Sequence, residues 1–506
     1  MRAYVRAPMD IVFVAPEIAP YSKITASAEP TAALAKALRA LGHKVTLIAP
    51  LFASIDPSAR HLGRRLTKIE VDVGGASARL SLYEGRTSGG VDLLFLGSEE
   101  HYTAGVTASD ESESAGARWG LFLRGAIELL RRRESRPDVI QACEWQTAPL
   151  AMMLKGDREL SAIPVVLSIS AMDAVGRFDR SVLPHYGIPA SAFTIEGVEF
   201  FGKFSALKAG LVAAARVVTP GPSFMRAFLE RGGGGGLEGV LGSRESALLG
   251  IVPGVDASLF NPATDPHLAT RYDAMDVAGT GTYGKIRCKA ALQQELGLPV
   301  SAEVPLAIVL GESGPRSGLD RLAEIVPALA RNDMQLAVIV SDAGSTATAR
   351  IEELASRFRD RIAVRLGTGS ANDDTALAHR ALGAADLAIL TALDDPRTTL
   401  QMEAHRYGTL PIGRAAGLFA DTVVDCDAQL RSGDGFGFEE ATAAALLGAV
   451  QRAVAGYSLG PVFRATQVRA INADHGWERP ARLYERVYRQ ASAANTAAAA
   501  PQADAS

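Results

Sequence analysis

The chain has 506 residues, 48% of them hydrophobic and 21% charged, with a formal net charge of -4. That length is too great for one hydrophobic core, and the composition is too ordinary for a disordered, collagenous or disulfide-stapled chain, so two soluble domains are expected. Lysine and arginine are scattered apart from Arg131 to Arg133, read as a solvated helix end, which argues against partnership with nucleic acid or a membrane surface.

Cys143, Cys288 and Cys426 are far apart, odd in number and without paired His or Cys neighbours. This pattern fits neither a disulfide framework nor a zinc site, so the reading is free thiols, no metal, and a reducing, cytoplasmic location. No run approaches 18 apolar residues, and MRAYVRAP is followed by no signal-peptide core, leaving Met9 as a second candidate start.

In chain order, residues 9 to 52 read as strand, loop, helix, strand, and the loop APYSKITASAEP holds no glycine. Strand-like runs IVFVA (11–15), VTLIA (45–49), LLFLG (93–97), DVIQA (138–142) and VVLSI (165–169) alternate with helical patterns. The segment GIVPGVDASLFNPATDP (250–266) breaks both periodicities and is read as the hinge. LAIVL (306–310), LAVIV (336–340), IAVRL (362–366), LAILT (387–391) and LPIG (410–413) then repeat the rhythm. Residues 491–506, rich in alanine, are expected to be disordered.

Continuous apolar strands separated by helices predict an α/β fold of two doubly wound, Rossmann-like domains, 1–255 and 256–490, facing across a cleft. The second is expected to carry a C-terminal helix. In such folds ligands sit at the carboxyl ends of strands.

Collinear segments carry a family resemblance, among them VAPEIAPYSK (14–23), ALRALGHKVTLIAPLF (37–52), VEFFGKFSALKAGLVAAARVVT (198–219), GVDASLFNPATDP (254–266) and HRALGAADLAILT (379–391). From Met9 to about Arg489 the chain resembles the bacterial glycogen and starch synthases. These are retaining glucosyltransferases of the two-Rossmann (GT-B) fold that move glucose from ADP-glucose to the non-reducing end of an α-1,4-glucan. The resemblance puts the acceptor on the first domain and the nucleotide sugar on the second.

Carried over position by position, the resemblance gives a selective loss. In the loop whose lysine and glycine amides approach the donor phosphates, Lys23 stands but Thr25 and Ala26 replace the glycines. VIQACEWQTA has Cys143 and Glu144 for His and Asp, read as packing residues, and Ser170 in SISA replaces the histidine lining the sugar pocket. In GESGPRSG (311–318), Glu312 and Ser317 replace the Arg and Lys that clamp the diphosphate, with Arg316 one residue before the lost lysine. ALDDPRTTL (392–400) offers Asp395 for the sugar-gripping Glu and Thr398 for a glycine; Glu403, eight residues on, restores a two-acid spacing, although a surface acid is the plainer reading. Ala416 and Gly417 stand where a TGG turn binds phosphate, with only Gly417 kept, and VIVSDAG (338–344) lacks the nucleotide-facing GxGD.

A unit charge pair at about 4 Å and an effective dielectric of about 20 is worth roughly 4 kcal/mol, so exchanging attraction for repulsion at Glu312 weakens donor binding steeply. The resemblance therefore implies a glycogen synthase-like protein of glycogen biosynthesis, with ADP-glucose or another nucleotide sugar and an α-glucan as partners. Neither cofactor nor metal is implied. Three readings stand: an active hexosyltransferase, an inactive glucan-binding relative partnering an intact synthase, and a transferase with a different donor.

Overall fold

The structure, a computed structural model, describes residues 7–281, 283–312, 314, 316–341, 345–368, 370–392 and 399–499. The chain separates into two compact units, one running to Gly254 and resuming at Trp477, the other spanning Val255–Gly476.

In the first unit seven parallel strands form the sheet: β1 (Asp10–Val14), β2 (Lys44–Pro50), β3 (Asp92–Gly97), β4 (Val139–Cys143), β5 (Val165–Ser168), β6 (Arg216–Thr219) and β7 (Leu248–Gly250). Their order is β7-β6-β5-β4-β1-β2-β3, with the antiparallel strand Ala76–Arg86 added beyond β3. Phe13 of β1 stands opposite Leu47 of β2 and Gln141 of β4. Ile11, Val12, Phe13 and Val14 are all fully buried, because helices cover both sheet faces and leave no solvated side for alternation.

The second unit holds six parallel strands, β8 (Leu306–Gly311), β9 (Gln335–Val340), β10 (Ile362–Leu366), β11 (Leu387–Ile389), β12 (Leu410–Arg414) and β13 (Phe436–Phe438), in the order β10-β9-β8-β11-β12-β13. Leu322, Val326 and Leu329 of helix Leu319–Leu329 pack on Val309, Leu336 and Val338 in its core. Asp386, just before β11, accepts from Lys289 Nζ at 2.7 Å and from the backbone N–H of Leu306 at 2.9 Å, which ties β8 to β11.

Two expectations are corrected. The C-terminal helix Glu478–Ala499 belongs to the first unit, where it packs on helix Ala28–Ala40, β4 and β5. Its Tyr488 hydroxyl donates to Gln141 Oε1 inside β4 at 2.9 Å, so a buried amide in the sheet fixes where the helix lands. Residues 491–499, read as a disordered tail, are its last turns: Ala491 is buried, and Ser492 and Asn495 donate to the carbonyls of Asp138 and Ala162, both at 2.8 Å. These backbone acceptors were invisible in an alanine-rich composition.

The arginine run is only partly solvated. Arg131 and Arg132 pair with Asp157 and Glu128 near the surface, but half-buried Arg133 grips both oxygens of Asp10 at 2.7 Å, at the start of β1. No helix among the described residues is long and apolar enough to cross a membrane.

Candidate functional site

In each sheet the strand order reverses once, between β1 and β4 in the first unit and between β8 and β11 in the second. Crevices at the carboxyl ends of such strand pairs are where open α/β sheets take ligands. The two half-sites are described separately.

After β1 the chain runs through the loop 15–27 to helix Ala28–Ala40. Glu17 is 1% exposed, and its carboxylate accepts from Ser22 Oγ at 2.6 Å, from Ile24 N–H at 2.9 Å and from Thr25 N–H. Backbone amides gathered in this way form an anion-binding concavity, and here the chain supplies its own anion. Lys23 is exposed and paired with Glu29 at 2.6 Å. Thr25 is half-buried, its hydroxyl 3.0 Å from that of Ser27, and Ala26 is exposed. A ligand at this loop therefore meets side chains, while the amides of Ile24 and Thr25 are already engaged.

The neighbouring strand β4 ends in Cys143, and the next residue, Glu144, has φ 65°, a left-handed backbone that costs a side chain about 1–3 kcal/mol. Its carboxylate accepts the backbone N–H of Ser170, at 3.2 and 3.3 Å from the two oxygens, so the structure brings these two positions together after β4 and β5. Cys143 is buried and its thiol is pushed up to about 12 by burial, which makes it a packing group and not a nucleophile. Trp145 meets Trp119 edge to face and lies tilted against Phe178, and Gln146 donates to the Ala108 carbonyl at 2.8 Å. Both are framework residues; Glu144, read from the sequence as a packing residue, also ties β4 to the segment after β5 through its carboxylate.

In the second unit β8 ends in Gly311, followed by exposed Glu312. Arg316 is exposed on the same loop, and Ser317 accepts at its carbonyl from Thr391 Oγ1 at 2.5 Å. The Ser317 hydroxyl accepts from Leu319 N–H at 3.4 Å. Gly318 has φ 69°, and a Cβ there would lie 1.8 Å from the Thr391 carbonyl oxygen, so only glycine allows the loop to lie against the end of β11. Asp395 and Thr398 lie outside the described residues.

Glu403 is half-buried in the first turn of helix Leu400–Arg406 and accepts from Thr399 Oγ1 at 2.6 Å. After β12, Ala416 precedes the short helix Gly417–Thr422, and Gly417 has φ 53°. Each of these groups follows β8, β11 or β12, three adjacent strands, so the fold collects them at one sheet end.

The sequence reading missed Glu17 and Thr391. Glu17 stands in an otherwise apolar stretch directly after a buried strand, and a carboxylate placed there must be matched by donors; that signal was legible. Thr391 gave none, because its role depends on the loop after β8 folding against it.

Comparison with known proteins bears on this geometry. Residues 10–243 match the family model described as the starch synthase catalytic domain. The chain is 34% identical over 498 residues to a glycogen synthase of an Anaeromyxobacter species, covering 96% of this chain and 100% of that one. It is 31% identical over 492 residues to glycogen synthase 2 of Geobacter sulfurreducens, covering 96% and 99%. Among solved structures it resembles the catalytic domain of starch synthase IV from Arabidopsis thaliana, bound to ADP and acarbose, with a TM-score of 0.86, 24% identity and coverage of 96% and 100%. It also resembles sucrose-phosphate synthase from Thermosynechococcus elongatus, with a TM-score of 0.57, 16% identity and coverage of 96% and 100%.

Proposed function

Because this chain belongs to the family of bacterial glycogen synthases and starch synthases and has their GT-B fold, we propose that it serves glycogen metabolism as an α-glucan-binding, synthase-like protein that has lost ADP-glucose-dependent transfer. The observation that carries this reading is Glu312, an exposed acid at the end of β8, on the loop where the family resemblance calls for a cation. Ser317, at the second cation position, is a neutral residue whose carbonyl binds Thr391.

Glucosyl transfer with retention needs the departing diphosphate held by positive charge while the acceptor hydroxyl approaches the same face. That stabilisation belongs to the transition state, so its loss lowers turnover directly. In this reading Lys23 is held by Glu29, and Gly417 shapes the turn after β12 through its left-handed backbone. The protein needs neither cofactor nor metal, works in the cytoplasm, and acts beside an intact synthase on the same polymer.

A second reading has Arg316 replacing the lost lysine and supporting slow transfer, with Asp395 and Glu403 as the acids. Its support is the place of Arg316, one residue from Ser317 on the loop after β8.

The test is incubation with labelled ADP-glucose or UDP-glucose and glycogen, beside calorimetry with ADP and maltooligosaccharides. Maltooligosaccharide binding without ADP affinity or turnover is expected. Robust turnover abolished by Arg316→Ala would replace the first reading with the second.

A further inference from the structure

At the opposite, amino ends of β5 and β6 lies a cavity of about 300 Å3, formed wholly within the first unit. Its lining brings together the end of helix Leu150–Lys155, the residues leading into β5 and β6, and the last turns of helix Glu478–Ala499. The volume is at the lower end of small-molecule pockets, which run from about 300 to 1,000 Å3.

Three of its lining residues are cations: Lys155, Arg216 and Arg244. No acid lines it. Burial and the Arg244 charge lower the Lys155 ammonium from its ordinary value, and burial with the Arg216 charge does the same to Arg244; no carboxylate offsets either. Arg244 donates to the carbonyls of Val212 at 2.9 Å and of Ala214, and Arg216 to that of Ala215 at 2.8 Å. These bonds hold the guanidiniums in place and cap the end of helix Ala206–Ala213 without neutralising them. The nearby acid Asp157 is committed to Arg131 and to the amides of Glu159 and Leu160. Like charges gathered in a recess raise the local concentration of counter-ions and favour an anion that touches all of them.

We propose that this cavity binds a phosphate group, free or borne by a small sugar, held by Lys155, Arg216 and Arg244 with the Ser161 hydroxyl beside them. Binding there fastens the last turns of the C-terminal helix, which line the same recess through Ala494 and Asn495. Within the first unit the site stands at the opposite strand ends from the loop after β1 and does not depend on whether that loop accepts a donor.

The test is titration calorimetry and thermal unfolding of the full chain with inorganic phosphate and with glucose 1-phosphate, against glucose and sodium chloride at matched ionic strength. Both anions are expected to bind saturably, one per chain, and to raise the unfolding temperature, with glucose inert. Tighter binding of glucose 1-phosphate would assign the site to a sugar phosphate; equal binding would assign it to free phosphate. Lys155→Glu and Arg216→Gln should each weaken binding at least tenfold while leaving the unfolding temperature in chloride unchanged; Arg244 is left intact because it ties down the carbonyls of Val212 and Ala214 some 30 residues away, whereas Arg216 bonds the carbonyl of its own chain neighbour, Ala215. Absence of saturable phosphate binding, or binding unchanged in both variants, would overturn the proposal. So would binding that is lost instead in Lys23→Ala or Arg316→Ala.

Discussion

His475 Nε2 lies 2.8 Å from His405 Nδ1, with the two rings stacked at 5.0 Å. His405 Nε2 is 2.9 Å from the Asp434 carbonyl oxygen, so His405 carries its proton there and accepts the His475 N–H at Nδ1. Burial is the largest cause holding each imidazole down to about 4. Between pH ~6.5 and 4 the unfolded chain therefore binds protons that the native one does not, and stability falls as pH falls through that window. Losing about 3 kcal/mol from His405 is expected, read as a drop in unfolding temperature between pH 7 and 4 that His405→Gln flattens.

Gly318→Ala should be costly although the residue lies on a loop. Its left-handed backbone and the Thr391 carbonyl in the way of a new Cβ both oppose a side chain, and about 2–4 kcal/mol of destabilisation is expected in urea unfolding. A change below about 0.5 kcal/mol would show that the loop after β8 is not held against β11.

Lys289 and Asp386 form a buried pair at 2.7 Å. Lys289→Met leaves the Asp386 carboxylate without its cation and should destabilise by roughly 3–5 kcal/mol. The double variant Lys289→Met with Asp386→Asn should recover much of that loss, because the uncompensated charge is gone while an acceptor for the Leu306 amide remains. No recovery would mean that packing, not charge, sets the cost.

Glu17→Gln keeps the shape of the side chain but removes the charge that gathers the loop amides. Hydrogen exchange at Ile24 and Thr25 is expected to quicken by about tenfold or more, equivalent to ~1.4 kcal/mol or more of lost local stability. Unchanged protection would show that the loop holds its shape without this carboxylate.

The sheets were legible because a strand covered on both faces must be apolar throughout, and ten of the thirteen parallel strands carried that mark. β6 (RVVT), β7 (LLG) and β13 (FGF) escaped because none holds an apolar run longer than two residues, whereas the equally short β5 (VVLS) and β11 (LAI) do. The candidate site was legible in part. Resemblance located the loops, and strand order explains why those loops gather. It did not reveal that Glu144 adopts a left-handed backbone, since nothing in a glutamate announces that conformation, nor that Glu17 fills the amides of its own loop. The last helix was misplaced for a related reason: its partner Gln141 is 347 residues away, and local pattern carries no such information.

That distance also constrains how the molecule is made. The first unit is closed by a helix that leaves the ribosome only after the second unit, so its sheet must wait, with the surface over β4 and β5 uncovered, while the whole intervening unit is synthesised and can fold. Contacts between such distant segments form slowly and leave apolar surface exposed in the interval. Truncation at the end of the second unit would remove no residue of the candidate loops, yet it would leave the unit carrying Lys23 and Glu144 unfinished.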